Sequence, residues 1–197
     1  MSNSTDNVSG ADNQQESSQG EWLNKIPQEL GYYLAGFSDG EGSFNVSFRQ
    51  KSDYSLKWQP VLSFNVSQRD RTNLLTLQEI LGCGIIKKRQ DGVYSLDVTT
   101  PAHAILKVIP FFKRFPLRSE KAKNFMIFCE IAALMNKGSH KTIKGLKTIA
   151  NLRETLNVGK GRKRKYSAED IFNSFLEKSS ETIRQAHESG DDIVRPL

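Results

Sequence analysis

The sequence predicts an α+β fold in which a helix and two strands are followed by a second helix, two more strands and a run of helices. Three observations carry that order. Apolar residues recur at helical spacing in "PQELGYYLAGFSDG", "SFNVSFRQK" and "KWQPVLSFNVSQ" alternate as half-buried strands do, and Asp91-Gly92 inside "GIIKKRQDGVYSLDVTT" is a strong hairpin signal.

Each element has a local reason. Pro27 stands at a first helical position, where its missing N–H costs nothing. Gly36 and Gly40 lie four apart on that helix, beside Ala35, and leave one face bare for another backbone to approach. Glycine costs about 1 kcal/mol relative to alanine in a helix interior, so two on one face suggest a tightly packed partner. In the strands that follow, Phe44, Val46 and Phe48, then Leu62, Phe64 and Val66, are expected to point inward. Asp70 can cap a helix through "RTNLLTLQEIL", which Gly82 ends. Thr100 and Pro101 open "PAHAILKVIPFF", Ser119 opens "EKAKNFMIFCEIAALMN" before Gly138, and "KTIKGLKTIANLRETLN" makes a further helix. Ser167 caps a last amphipathic segment through "IFNSFLEKSSETIRQ".

Charge is unevenly placed along the 197 residues. The net excess is +6, yet residues 1–29 hold five carboxylates against Lys25, and the last ten hold three against Arg195. The body between them is therefore strongly basic, which points to a polyanion and most simply to nucleic acid. The expected organisation is a disordered acidic tail at 1–25, a domain at 26–158, a basic loop and helix at 159–187 belonging to it, and a disordered tail at 188–197. Two cysteines exclude a disulfide framework, the three histidines lack zinc-ligand spacing with them, and no apolar run reaches the roughly 20 residues that span a bilayer. "MSNSTDNVSGADNQQESSQG" resembles neither a secretion signal nor an import peptide. The expected location is the cytoplasm or nucleoid of a prokaryote, or the matrix of an organelle that encodes the protein, without secretion.

The outward strand face carries an unusual set: Asn45, Ser47, Arg49 and Lys51, then Gln59, Ser63 and Asn65, then Lys87, Arg89, Ser95 and Asp97. Arg, Lys, Asn and Gln pair with guanine and adenine edges, and Asp accepts from cytosine. An ordinary solvated sheet face is the competing reading, although acidic residues are normally more frequent on one. Lys160, Arg162, Lys163, Arg164 and Lys165 form a basic loop that reads, beside such a sheet, as phosphate contact. The join "SDGEG" raises a separate question, because Asp39 and Glu41 stand where a helix end disfavours negative charge by about 0.3–1 kcal/mol each. The residues alone leave them open as solvated turn residues or as a site.

"LAGFSDGEG", residues 34–42, resembles the motif of the LAGLIDADG homing endonucleases. The likeness extends from Leu30 to Leu176: the element order is similar to that family's αββαββα core, "LSFNVSQRDRTNLLTLQEILGCGIIKKR" to its second strand, helix and second hairpin, "FPLRSEKAKNF" to its basic segment before the third core helix, and "GLKTIANLRETLN" to a recurrent C-terminal helix. The resemblance implies a saddle-shaped antiparallel sheet and a sequence-specific DNA endonuclease, encoded within an intron. It implies that Leu34, Ala35, Gly36, Asp39 and Gly40 belong to a motif helix that packs on a second copy, with Asp39 bracing the helix ends. Glu41 matches the acid that binds the divalent metal, Mg²⁺ or Mn²⁺ in its place, with the Gly40 carbonyl as second ligand. Gln68 matches a residue that positions the attacking water, and Arg118, with Lys121 as its competitor, matches a cation that stabilises the transition state. One motif per chain implies a homodimer on a long pseudo-palindromic duplex, cut on both strands across the minor groove. Intron RNA is a further implied partner, and a non-cleaving maturase or DNA-binding regulator is the alternative. Glu replaces the commoner Asp at 41, and Ser38 replaces an apolar residue, which is expected to weaken the helix interface slightly.

Overall fold

The computed structural model describes residues 20–158 and 164–176. Residues 1–19 of the expected tail, Lys160, Arg162 and Lys163, the part of the expected last helix beyond residue 176 and the expected tail at 188–197 lie outside the described residues. The elements follow the expected order: α1 (Gln28–Glu41), β1 (Gly42–Gln50), β2 (Trp58–Gln68), α2 (Thr72–Leu81), β3 (Ile85–Lys88) and β4 (Tyr94–Val98). Helix α3 (Pro101–His103) continues through a π segment (Ala104–Val108) into α4 (Ile109–Arg114), followed by α5 (Lys121–Asn136), a 3₁₀ turn (Ser139–Lys141) and α6 (Ile143–Glu154). Residues 168–176 are helical and are called α7. None of the described helices is long and apolar enough to cross a membrane.

The strands are ordered β1-β2-β4-β3, and β4 pairs antiparallel with both β2 and β3. Local chemistry sets most boundaries. The Asp70 carboxylate accepts from Thr72 N at 2.9 Å and so closes a turn ahead of α2, whose N-cap is Arg71 and not the expected Asp70, and Gly82 ends the helix at φ 63°. Gly92, at φ 82°, turns the β3–β4 hairpin, and Asp91 accepts from Val93 N at 3.1 Å. Thr142 caps α6 by accepting from Gly145 N, and Ser167 and Asp170 cap α7 reciprocally. The periodicity does not show the π segment; Pro110 has no N–H, its ring would crowd the carbonyl of Leu106 in a regular α-helix, and the helix widens just before it.

Two compact units share the chain, one of Met1–Phe44 with Leu62–Phe125 and the other of Asn45–Val61 with Met126–Leu197. The first is built on aromatic rings. Phe44 stacks on Phe64 at 5.1 Å and meets Phe112 and Phe125 at 5.4 and 5.2 Å, and Phe111 joins Phe112 to Phe115. In the second, Trp58 donates to Ser174 Oγ at 2.8 Å, and the buried Arg153 guanidinium lies 5.0 Å from the Phe48 ring.

Three expectations change here. The described end of the 1–25 tail is structured: residues 20–24 are helical, Arg114 donates to Asn24 at 2.9 Å, and Lys107 lies over the Trp22 ring at 4.5 Å. Leu34 and Ala35 are buried inside their own chain, so only Gly36 and Gly40 of the motif glycine face remain exposed for a partner. Ser38 is fully buried with no partner for its hydroxyl among the described residues, so it faces the core of its own fold and not an interface between copies.

The glycine that the fold itself demands in α1 is Gly31, where a Cβ would overlap the Phe115 ring, while Gly36 and Gly40 have open space. Gly31→Ala is therefore expected to destabilise by about 1–3 kcal/mol through overpacking. Gly36→Ala is expected to stabilise the isolated chain by up to about 1 kcal/mol through helix propensity. Urea unfolding of the two variants measures the opposite signs.

Candidate catalytic site and sheet interface

The acidic join at the end of α1 resolves into two charge pairs of opposite sense. Asp39 reaches the loop before α5, where it accepts from Arg118 N at 2.9 Å, Ser119 N at 2.8 Å and Ser119 Oγ at 2.5 Å. Burial raises its pKa, but the Ser119 hydroxyl, the two backbone N–H groups and the Lys121 charge outweigh that and hold it below the usual carboxylate value. The carboxylate thus faces the N-terminal side of α5, whose unpaired N–H groups favour an anion. Conversely, Lys121 Nζ donates to Ser38 O at 3.1 Å and Gly40 O at 3.0 Å, placing a cation on the carbonyl end of α1. Gly42 completes the join: its N–H also donates to Ser38 O, and a Cβ there would crowd that oxygen.

Glu41 alone is left facing solvent. It is exposed and makes no hydrogen bond or ion pair among the described residues. Its neighbour Gly40 presents a carbonyl that Lys121 already touches. Of the two candidate cations, Lys121 is the one held at this helix end; Arg118 contributes its backbone N–H to Asp39 and its side chain is exposed. Gln68 ends β2, opposite Tyr94 in the register, with its side-chain Oε1 accepting from Arg69 N at 2.9 Å. No cluster of three or more His, Cys, Asp or Glu able to hold a metal exists among the described residues. Glu41 and the Gly40 carbonyl are hard oxygen donors suited to Mg²⁺, and one chain supplies only part of an octahedral shell.

The expected base-reading face is more internally connected than the alternation implied. Ser47, Arg49 and Lys51 are exposed, with Lys51 3.9 Å from Asp53, and Arg89 pairs with Asp91 at 2.9 Å. Gln59 donates to the Tyr54 hydroxyl at 2.9 Å, and Asn45 accepts from Asn157 at 3.0 Å. Ser63 is half-buried, and Ser95 is 8% exposed and not an outward residue open to a base. Asp97 accepts from Asn65 and Ser95 and lies near Lys87.

Arg164 departs furthest from expectation. Its guanidinium donates to Arg153 O at 3.0 Å and Leu156 O at 2.8 Å and pairs with Glu154 at 3.0 Å, so it caps the carbonyl end of α6. Glu154 also binds Arg153 at 2.7 Å and Ala168 N at 3.1 Å, tying the start of α7 to the end of α6. In the sequence Arg164 reads as a phosphate contact because only charge is visible in "GKGRKRK"; the carbonyls it caps appear only in the folded chain. Lys165 is exposed, 5.2 Å from the Tyr166 ring. Arg164→Ala is expected to cost about 1–2 kcal/mol of stability without changing the salt dependence of nucleic-acid binding. Thermal melts and a salt titration of affinity separate the two effects.

This fold and this acid-lysine join define a known class: residues 34–132 match the profile of the LAGLIDADG endonucleases, and the chain belongs to that family. It is 31% identical over 135 residues to the DNA endonuclease I-CvuI of Chlorella vulgaris, covering 66% of this chain and 81% of that one. It is also 33% identical over 132 residues, 64% of its length, to probable intron-encoded endonuclease 3 of Neurospora crassa. The chain spans only 24% of that relative and 32% of probable intron-encoded endonuclease 2 from the same organism. Among solved structures it is similar to the archaeal intron-encoded homing endonuclease I-Vdi141I in complex with DNA, with a TM-score of 0.69 and 28% identity over 77% of this chain and 97% of that one. The homing endonuclease I-TnaI gives a TM-score of 0.65 and 29% identity over 75% and 96% of the two chains.

Proposed function

We propose that the protein is a divalent-metal-dependent endonuclease that binds a long, pseudo-palindromic DNA duplex as a homodimer and hydrolyses both strands across the minor groove. The observation that carries this reading is the join at the end of α1, where Glu41 has no structural partner among the described residues and Lys121 is fixed at the adjacent Gly40 carbonyl. The intron-encoded relatives and the DNA complex of I-Vdi141I support it.

Each chain offers one such acid, and hydrolysis of a phosphodiester gains most when both the attacking and leaving oxygens are stabilised. Two copies related by a two-fold axis bring two Glu41 side chains together, and the bare Gly36 and Gly40 face of α1 suits that approach. Glu41 and the Gly40 carbonyl would hold Mg²⁺, with Mn²⁺ able to replace it. When bound, the metal supplies Lewis-acid polarisation of the phosphate and a more acidic water. Lys121 places a preorganised positive charge beside the developing negative charge on the phosphate, needing no reorganisation during reaction. Gln68 orients the water through its amide, and Arg118 binds flanking phosphate.

Gly36→Leu is expected to turn the dimer into a monomer and to remove cleavage together with it; sedimentation of a normal dimer would break the interface argument. The function itself is tested by incubating purified protein and Mg²⁺ with a pool of randomised duplexes, with a chelator in parallel. Cut duplexes sharing a pseudo-palindrome, and none with chelator, support the reading. Retention of uncut duplexes or of structured intron RNA, with no cutting under any divalent metal, transfers the conclusion to a binding regulator or maturase.

A further inference from the structure

We infer that Asp97 sets DNA sequence preference by positioning its neighbours and not by contacting a base; this rests on the proposed DNA-binding role of the sheet. Two hydrogen-bond donors and one cation, drawn from three strands, converge on one carboxylate. Oδ1 accepts from Asn65 Nδ2 of β2 at 2.8 Å and from Ser95 Oγ of β4 at 2.7 Å, and Oδ2 lies 3.8 Å from Lys87 Nζ of β3. The register sets these side chains close together. Asn65 is paired directly opposite Asp97, Lys87 is paired opposite Ser95, and Ser95 and Asp97 share one face of β4.

A carboxylate reads cytosine by accepting from its N4 amino group, which requires an oxygen pointing into the groove with capacity to spare. The Asp97 side chain is only 22% exposed; Oδ1 is taken up by two donors on its own sheet and Oδ2 faces the Lys87 ammonium at ion-pair distance. What it controls is the direction of the neighbours. An asparagine amide can flip by exchanging its oxygen and nitrogen, and donation from Nδ2 to Asp97 selects one of the two orientations. Lys87, whose side chain is 63% exposed, has a flexible stem, and attraction to Asp97 narrows its sweep without taking it out of solvent. The two side chains suited to base edges are thereby preorganised by a residue that touches neither base nor phosphate.

The test is selection of bound duplexes from a randomised pool by the full chain with divalent ions chelated, comparing wild type with Asp97→Ala, Asn65→Ala, Lys87→Ala and the Asp97→Ala/Lys87→Ala pair. The expected result is that Asp97→Ala reduces discrimination from about ten- to a hundredfold to a few-fold at the same base pairs that Asn65→Ala or Lys87→Ala affect. At the base pairs that Lys87→Ala affects, Asp97→Ala should add little once Lys87 is gone, because positioning and positioned residue act as a unit, while the base pairs that Asn65→Ala affects should still lose discrimination. A merely structural role would lower the melting temperature and affinity alike while leaving the base preferences in place, and that outcome overturns the inference. A preference switched away from cytosine at a base pair untouched by the other variants also overturns it, in favour of direct reading. If the wild-type chain retains no duplex, the DNA-binding reading falls and this inference with it. Should Asp97→Ala fail to fold, Asp97→Asn, which keeps one acceptor and loses the charge, should broaden the same base pairs to a lesser degree; unchanged preferences in it are equally fatal.

Discussion

Glu41→Gln is expected to abolish strand cleavage, by a factor on the order of 10³ or more, while duplex binding persists. The variant is nearly isosteric and replaces a hard anionic ligand with a neutral amide of far lower affinity for a hard cation. It is also structurally quiet, since Glu41 is exposed and has no hydrogen bond or ion pair among the described residues. Loss of activity can therefore be assigned to chemistry if melting temperature and duplex affinity match the wild type. Normal cleavage by the variant would remove Glu41 from the metal site and leave the join as a structural device. The conservative Glu41→Asp should retain activity, because it keeps the anion and shortens the reach by one methylene.

The largest expected effect on stability lies three residues further along the chain. Phe44→Ala should cost about 3–5 kcal/mol, because Phe44 is fully buried and its ring meets Phe64, Phe112 and Phe125 at 5.1 to 5.4 Å. Its removal takes away a shared neighbour of three rings at once, in an interior packed too densely to close the gap by small adjustments. For a domain of this size the loss corresponds to a fall of roughly 10 °C or more in melting temperature. Phe44→Leu, which keeps most of the apolar volume, should lose clearly less, and equal losses would mean that the site collapses around the cavity. Calorimetry on both variants decides between these.

What could be read from the sequence was what neighbouring residues decide. Asp70 with Thr72, Asp91 with Gly92, Thr142 with Gly145 and Ser167 with Asp170 are settled within a few positions, and the structure has each of them as a cap or turn. The family resemblance set Asp39, Gly40 and Glu41 beside a cation, Arg118 or else Lys121, and it is Lys121, 81 residues from Gly40, that the fold holds at the join. Contacts that depend on where distant chain meets chain were not legible. Asn45 and Asn157 are 112 residues apart, and nothing local marks one as the other's partner. Arg164 looked like one more cation in a basic run, since no sequence pattern shows which arginine meets the carbonyls of Arg153 and Leu156. Gly31 carries no local mark for the same reason: its constraint comes from Phe115, whereas the four-residue spacing of Gly36 and Gly40 is visible in the sequence.

The join at the end of α1 divides its duties unequally, and that division sets an order of decay. Lys121 and Asp39 each hold backbone together, so losing either harms folding whether or not any DNA is cut. Glu41 carries no such second duty among the described residues, so a lineage released from selection for cutting can discard it at almost no cost in folding. Silenced copies of this gene should therefore lose the acid at position 41 early and keep Asp39 and Lys121 long afterwards. An intact lysine in such a copy would testify to a fold still in use, and only the glutamate to an enzyme.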